Sequence, residues 1–441
     1  MNTSRAAPPV RFRVGTGGCL TGRIRVPGDK SISHRAIMFG ALADGITEID
    51  GFLEGEDSLA TLRAFRAMGV EIEGPQKSHV RIHGVGIDGL RKPTGVLDLG
   101  NSGTSMRLLA GLLAGQPFDV TLTGDASLSG RPMQRVTVPL AEMGARITAT
   151  ERGTAPLQIH GGNALRAIRY EMPVASAQVK SALLLAGLRA DGETCVTEPA
   201  PTRDHTERML QGFGYVVRRE RGTVCLNGGG RLRATAVSVP GDISSAAFFM
   251  VGATIADGSD LILKHVGVNP TRTGVIDILK LMGADLEILH EREAGGEPVA
   301  DIRVRSAELR GIEIPKSLVP LAIDEFPALF VAAACAQGRT VLRGAEELRV
   351  KESDRIQVMA DGLNALGIVA QPTQDGIVVK GGCPTGGRVD SHGDHRIAMA
   401  FAMAGLRAAD EVVIDDCANV ATSFPGFDRL ASGAGLAIQV D

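Results

Sequence analysis

The stretch VPGDKSISHRAIMFGALADGITEIDGF, residues 26–52, has a counterpart in VPGDISSAAFFMVGATIADGSDLILKHV, residues 239–266. Each reads as a Pro-Gly turn, a polar helix start, an Ala-rich apolar helix, a Gly stop and a strand-like run. A second, amphipathic helix then ends on a Met-Gly pair, at Gly69 after the first copy and at Gly283 after the other.

With this template in hand, four more copies appear. GNSGTSMRLLAGLLAG (100–115) leads to a second helix ending at Gly144, ASAQVKSALLLAGL (175–188) to one ending at Gly214, and IDEFPALFVAAACAQG (323–338) to one ending at Gly367. GDHRIAMAFAMAGL (393–406), followed by FPGFDRLASGAG, is the sixth. A recurrence of roughly 70 to 85 residues is longer than solenoid periods and predicts six small βαβαββ units rather than a stacked array. The expected fold class is therefore α/β (α+β), in two similar domains of three units each. Residues 28–240 form the first domain, and 1–27 with 241–441 the second.

The first helix of each copy is nearly uncharged past its opening turn, as a helix buried on all sides reads, so helices inside and sheets outside are expected. Two chain crossings at one hinge point to a cleft between the domains as the active site, since pockets favour domain interfaces. Duplication for stability alone is the alternative. Several of the six helix starts carry Lys, Arg, Ser or Asp, and helix N-termini with free N–H groups attract anions.

Composition narrows the function classes. At roughly 150 residues per domain, 441 residues suggest two or three domains. Apolar residues at 44% and charged residues at 22% exclude a disordered chain. The 47 Lys and Arg against 50 Asp and Glu give a net charge of −3, which argues against a general nucleic-acid binder. The longest apolar runs, around 181–188 and 326–336, fall short of the roughly 18 to 20 residues that span a bilayer, so no membrane association is expected. The N-terminus, MNTSRAAPPVRFRV, lacks the apolar core of a secretory signal, which points to the cytoplasm. Six scattered cysteines without a Cys-x-x-Cys predict reduced packing residues, neither a disulfide framework nor a zinc site.

Four constellations could carry chemistry. Lys30, Ser31 and Arg35 open one helix and can face one anion; a solvated, Ser-capped helix start would look the same. Gly100, Asn101, Ser102, Gly103, Thr104 and Arg107 suit a phosphate-cradling loop, and Arg131 lies in the turn SLSGRP. Ser176, Ala177, Gln178 and Lys180, with Thr202, Arg203 and Asp204, suit a polyhydroxylated anionic ligand, or a capped buried helix plus a surface loop. In the second half, Asp324 and Glu325 precede a helix, Lys351, Glu352, Asp354 and Arg355 stand in RVKESDR, and Asp394, His395 and Arg396 in GDHR. Carboxylates interleaved with cations are what proton transfer on an anionic substrate requires, although such a run also reads as a solvated face. Gly84, Gly86 and Gly89 match a dinucleotide fingerprint, but Pro93 stands where its helix should run. His392, Asp394 and His395 look metal-like, yet Arg396 beside them would repel a cation, and no metal is expected.

PGDKSISHRA, LDLGNSGTSMRLLAG, SGRPM, ASAQVKSALLLAG, RVKESDRI and GDHRIAMAF together resemble the EPSP synthase (3-phosphoshikimate 1-carboxyvinyltransferase) family across nearly the whole chain and in the same order. The resemblance implies two domains of three βαβαββ units, and transfer of the enolpyruvyl group of phosphoenolpyruvate to the 5-hydroxyl of shikimate 3-phosphate, without a cofactor. By motif match it assigns Lys30, Ser31, Arg35, Ser176, Ala177, Gln178, Arg203, Asp324 and Lys351 to shikimate 3-phosphate. Lys30, Asn101, Gly103, Arg131, Gln178, Arg355 and Arg396 are assigned to phosphoenolpyruvate. Asp324, Glu352 and Lys30 are the expected catalytic groups: Asp324 as base for the 5-hydroxyl, Glu352 as proton donor to the methylene carbon, and Lys30 assisting proton transfer or phosphate departure. A monomer is expected.

Two positions bear on inhibition by glyphosate. Thr422 stands where one branch of the family has Lys, while Gly103 is retained where some tolerant members carry Ala, and measurable sensitivity is the expectation. The sister family that uses UDP-N-acetylglucosamine resembles this one in fold. It places a reactive Cys in the loop corresponding to SLSGRP and an Asn after the first-helix Lys, whereas here Leu128, Ser129 and Gly130 precede Arg131 and Ser31 follows Lys30. A non-catalytic phosphate- or RNA-binding relative is a further alternative, disfavoured by the scarcity of aromatics, 3% of residues, available for base stacking.

Overall fold

The aspartate of the first Pro-Gly-Asp turn caps the helix it precedes. The Asp29 carboxylate accepts from the Ile32 amide and opens a helix over Lys30–Leu42. Asp242 does the same for Ile243–Ile255, and Ser102, Ser176 and Asp394 cap Gly103–Leu113, Ala177–Gly187 and His395–Ala404. Each such cap satisfies an orphan N–H and is worth about 1 kcal/mol. The sixth helix, Phe326–Ala334, has no side-chain cap but carries proline in its first turn, where a missing N–H costs nothing.

These positions come from a computed structural model that describes residues 10–441; residues 1–9, on which part of the N-terminal reading rests, lie outside it. All residues of the Ile243, Phe326 and His395 helices are buried, and the Lys30 helix is buried from Ile32 onward. The sheets lie around them as the sequence pattern predicts.

The second repeat shows the unit plainly. Strand Leu97–Asp98 leads through the Gly103–Leu113 helix to a parallel strand, Val120–Thr123, the usual form of such a crossover. Helix Gln134–Glu142 follows, then strands Arg146–Thr148 and Leu157–His160, the latter pairing antiparallel with both its neighbours. The order is βαβαββ.

The chain divides into two compact units. One comprises Pro27–Pro240 with Glu293–Pro298, and the other the residues through Val26 with Gly241–Arg292 and Val299–Asp441. Each holds three sheets and three of the buried helices. In the first unit the sheet next to the Lys30 helix is completed by late strands, Leu232–Arg233 and Ala236–Ser238, running parallel to Ala43–Asp50. In the second unit the chain start supplies the missing strands: Thr21–Ile24 beside Asp260–Gly267, and Phe12–Val14 between Val412–Asp415 and Ile438–Val440.

The expectation that all six cysteines are reduced is corrected at one pair. Cys195 and Cys225 lie directly opposite each other on antiparallel strands, with Cα atoms 4.1 Å apart, and are joined by a disulfide. Thirty residues of sequence separation hide a cross-strand register that brings the two side chains together. Cys335 is a free thiol whose pKa burial pushes up to about 12, which keeps it protonated. Residues 86–96, after the Gly84-x-Gly86 match, form no helix. Among the described residues no helix is long and apolar enough to cross a membrane.

Candidate active site

The predicted site residues fall into two clusters, one in each unit. The first gathers at the opening turns of the three buried helices of the Pro27–Pro240 unit, where backbone N–H groups and the helix dipoles favour anions. Lys30 is the first residue of its helix, and its Nζ lies 3.0 Å from Asp57 Oδ2. Arg35, one turn on, is buried and spends its nitrogens on protein acceptors: Thr206 Oγ1 at 2.7 Å, Ser31 O at 3.0 Å and Ser181 Oγ at 2.8 Å. Burial lowers the Arg35 pKa to about 10, against the opposing pull of Glu207 and Asp29.

Three motifs far apart in sequence close around Gly103. Arg131 donates to Asn101 Oδ1 at 2.6 Å and to Ser127 Oγ at 3.2 Å, while Asn101 donates to Asp125 at 2.7 Å. Arg107 donates to Gln178 Oε1 at 2.8 Å, and Gln178 in turn donates to Thr104 Oγ1 at 3.2 Å. A Cβ on Gly103 would stand 3.0 Å from Arg107 Nη1 and 3.2 Å from Arg131 Nη1, so glycine permits this close approach. Arg131 Nε is buried and makes no hydrogen bond among the described residues. The first unit thus presents cations and amides that two anionic groups could share.

The second cluster is built on Arg355, the first residue of the helix Arg355–Ala365, which is fully buried. Its Nε meets Asp394 Oδ2 at 2.7 Å, its Nη2 meets Glu352 Oε2 at 2.5 Å and its Nη1 meets Asp324 Oδ1 at 3.4 Å. Burial disfavours the guanidinium charge, but Asp394, Glu352 and Asp324 outweigh it and raise the pKa. Lys351 Nζ stands 3.5 Å from Asp324 Oδ1 and 2.9 Å from Glu347 Oε1. Arg396 donates to the Asp324 carbonyl at 3.0 Å, and Asp394 caps its amide. One guanidinium therefore orients the two carboxylates expected to move protons, and Asp394, the metal-like residue of the sequence, is spent on Arg355 and Ser353.

Sequence reasoning missed several members. Asp57, the partner of Lys30, lies 27 residues away on a helix that reads as an ordinary amphipathic one. Arg272 is buried, with Nη2 2.7 Å from Ser244 Oγ and 3.2 Å from Asp242 Oδ1, and Ser244 donates in turn to Glu325, a buried residue that the sequence already marks at its helix start. Asp242 answers to Asp29 in the repeat, and that symmetry was the available signal. Thr422 ends a short turn and donates to Asn419 O at 2.7 Å.

Comparison with known proteins decides the family. The model of EPSP synthase (3-phosphoshikimate 1-carboxyvinyltransferase) matches residues 14–430. The chain belongs to the EPSP synthase family. It is 69% identical to the 3-phosphoshikimate 1-carboxyvinyltransferase of Methylococcus capsulatus over 98% of this chain and 99% of that one. Identity to the Nitrosococcus oceani protein of the same name is 70%, over 97% of this chain and 96% of that one. A solved structure of EPSP synthase from Acinetobacter baumannii, 60% identical, aligns with a TM-score of 0.89 over 98% of this chain and 100% of that one. The fold expected from six repeats is thus the EPSP synthase fold.

Proposed function

We infer that the chain carries out the EPSP synthase reaction with the residues of the Lys30 and Arg355 clusters. It transfers the enolpyruvyl group of phosphoenolpyruvate to the 5-hydroxyl of shikimate 3-phosphate and releases phosphate. The observation that supports the proton-transfer roles is the buried Arg355 guanidinium, which lies against both Asp324 and Glu352.

Asp324 takes the proton of the 5-hydroxyl as that oxygen attacks C2 of phosphoenolpyruvate, and Glu352 gives a proton to C3, so the methylene becomes a methyl group. Loss of phosphate and of a C3 proton from the tetrahedral intermediate then restores the double bond. Lys30 assists proton transfer or phosphate departure. Each substrate carries a phosphate and a carboxylate, and like charges 4 Å apart repel by roughly 4 kcal/mol at an effective dielectric near 20. The cations meet that cost: Lys30, Arg35, Arg203 and Lys351, with Ser31, Ser176, Ala177 and Gln178, for shikimate 3-phosphate, and Arg131, Arg355 and Arg396, with Asn101 and Gly103, for phosphoenolpyruvate. Glyphosate inhibits at subsaturating phosphoenolpyruvate. The chain acts as a cytoplasmic monomer, which light scattering on the purified protein tests.

The deciding experiment measures phosphate release from phosphoenolpyruvate with shikimate 3-phosphate or UDP-N-acetylglucosamine as acceptor and no added metal. Release only with shikimate 3-phosphate is expected; release with the sugar nucleotide would overturn the assignment.

A further inference from the structure

Lys180 lies at the end of the first turn of the apolar Ala177–Gly187 helix and is completely buried, a costly place for an ammonium group unless it is paired. Its Nζ is 2.9 Å from Glu198 Oε2 and 2.8 Å from Glu207 Oε1, and Glu207 is itself fully buried. The match is one of charge rather than of hydrogen-bond geometry. Both carboxylates belong to a single excursion of the chain. Strand Glu193–Thr197 ends just before Glu198, and Glu207 sits in the first turn of helix His205–Gly212.

Between those two anchors is the loop that carries Arg203. Glu198 holds the residue before it, accepting from Thr202 Oγ1 at 2.6 Å and from the Thr202 amide at 3.2 Å. Asp204, the residue after it, is gripped by Arg208 at 2.9 Å and Arg219 at 2.8 Å. On its own helix, Lys180 is one turn beyond Ser176, whose carbonyl accepts the Lys180 amide at 3.1 Å. One buried charge thus ties the helix start bearing Ser176, Ala177 and Gln178 to the loop bearing Arg203.

We propose that Lys180 is a positioning residue for recognition of shikimate 3-phosphate, acting through Glu198 and Thr202 to hold Arg203 in place. The proposal rests on the reading above in which Arg203 binds that substrate. Lys180 touches no reacting atom, so its loss acts on one substrate's affinity and not on the chemistry. An isosteric apolar replacement leaves Glu198 without its close cation and Glu207 with only the longer contact to Arg219, at 3.8 Å, and the loop between them moves outward to hydrate them.

The test is steady-state kinetics on Lys180→Met, Glu198→Ala, Arg203→Ala and the pairwise combinations, each checked for folding by circular dichroism. Lys180→Met and Glu198→Ala are expected to raise KM for shikimate 3-phosphate about tenfold while KM for phosphoenolpyruvate and kcat change less than threefold. Their double variant is expected to be no worse than either alone, because both break the same chain of contacts. Adding Lys180→Met to Arg203→Ala should likewise raise that KM no further. If Arg203→Ala raises KM for shikimate 3-phosphate while folded Lys180→Met and Glu198→Ala do not, the positioning role is wrong. If Arg203→Ala itself leaves that KM unchanged, the assignment of Arg203 fails instead, and this proposal falls with it. Should Lys180→Met not fold, Glu198→Ala alone decides, since Glu198 is partly exposed and its truncation leaves the Lys180–Glu207 pair intact.

Discussion

Arg355 and Asp394 form an ion pair at 2.7 Å in which neither side chain reaches solvent. The pair joins RVKESDR to GDHR, two motifs about 40 residues apart, and from it hang the two carboxylates proposed to move protons. Neutralising Asp394 leaves Arg355 paired with Glu352 and Asp324 but removes its closest fully buried counter-charge. Asp394→Asn is therefore expected to destabilise the protein by about 1.5–3 kcal/mol, the worth of a buried hydrogen bond to a charged group. Replacing both partners, Arg355→Met with Asp394→Leu, also takes the cation from Glu352 and Asp324 and the cap from the His395 helix, so it should be no more stable than Asp394→Asn and inactive. Urea unfolding followed by circular dichroism, beside a phosphate-release assay, separates the two effects; a double variant that stays active would deny Arg355 its role.

Asp324 and Glu352 are expected to matter for turnover more than for binding. Asp324→Ala or Glu352→Gln should lower kcat by about 10²- to 10⁴-fold, the usual worth of a proton-transfer group, with modest changes in substrate affinity. Binding of both substrates by titration calorimetry, set against kcat, checks this. Equal losses in binding and turnover would make the carboxylates structural.

Gly103→Ala puts a methyl group 3.0 and 3.2 Å from the Arg107 and Arg131 nitrogens, inside ordinary contact distance. Arg107 is tied to Gln178 and Arg131 to Asn101, so neither can swing away without breaking a hydrogen bond. The expected result is a rise of about tenfold in KM for phosphoenolpyruvate, or ~1.4 kcal/mol, with little change in KM for shikimate 3-phosphate. Initial-rate measurements against each substrate decide, and an unchanged KM for phosphoenolpyruvate would count against Arg131 as its ligand.

His34 gives the pH dependence of stability a definite sign. Burial, helped by the nearby positive charges of Lys30 and Arg35, holds its pKa well below 6.5. Its Nδ1 lies 2.7 Å from Thr61 Oγ1, and its buried Nε2 makes no hydrogen bond among the described residues. The folded state refuses a proton that the unfolded chain accepts near pH 6.5. Stability from this group is therefore full above that pH and is lost as pH falls below it, by up to about 1.4 kcal/mol per pH unit. Denaturant unfolding between pH 7.5 and roughly 5 should show a steeper loss for the natural protein than for His34→Asn; parallel curves would mean that His34 protonates normally when folded.

Repetition made the architecture legible. Six copies of an apolar helix, five of them opened by an Asp or Ser cap, can only bury themselves by packing together, and the Asp29 and Asp242 caps sit where the two Pro-Gly-Asp turns put them. The positions of Lys30, Gly103, Ala177 and His395 at helix starts were equally readable, because capping is local. Disulfide pairing of Cys195 with Cys225 was not, since it depends on the register of two strands joined through a helix.

What the sequence determined by itself is everything that depends on neighbours within a turn or two: the repeat, the helix ends, the period of the buried faces and the motifs that mark the family. Tertiary structure alone decided which charges meet. Nothing in the order of residues says that Lys30 faces Asp57, that Arg355 gathers Asp324, Glu352 and Asp394, or that Lys180 sits between Glu198 and Glu207. Helix and cap formation are short-range and recur with each repeat, whereas a buried ion pair exists only where packing excludes water and brings opposite charges within about 3 Å, where the low-dielectric interior magnifies their attraction.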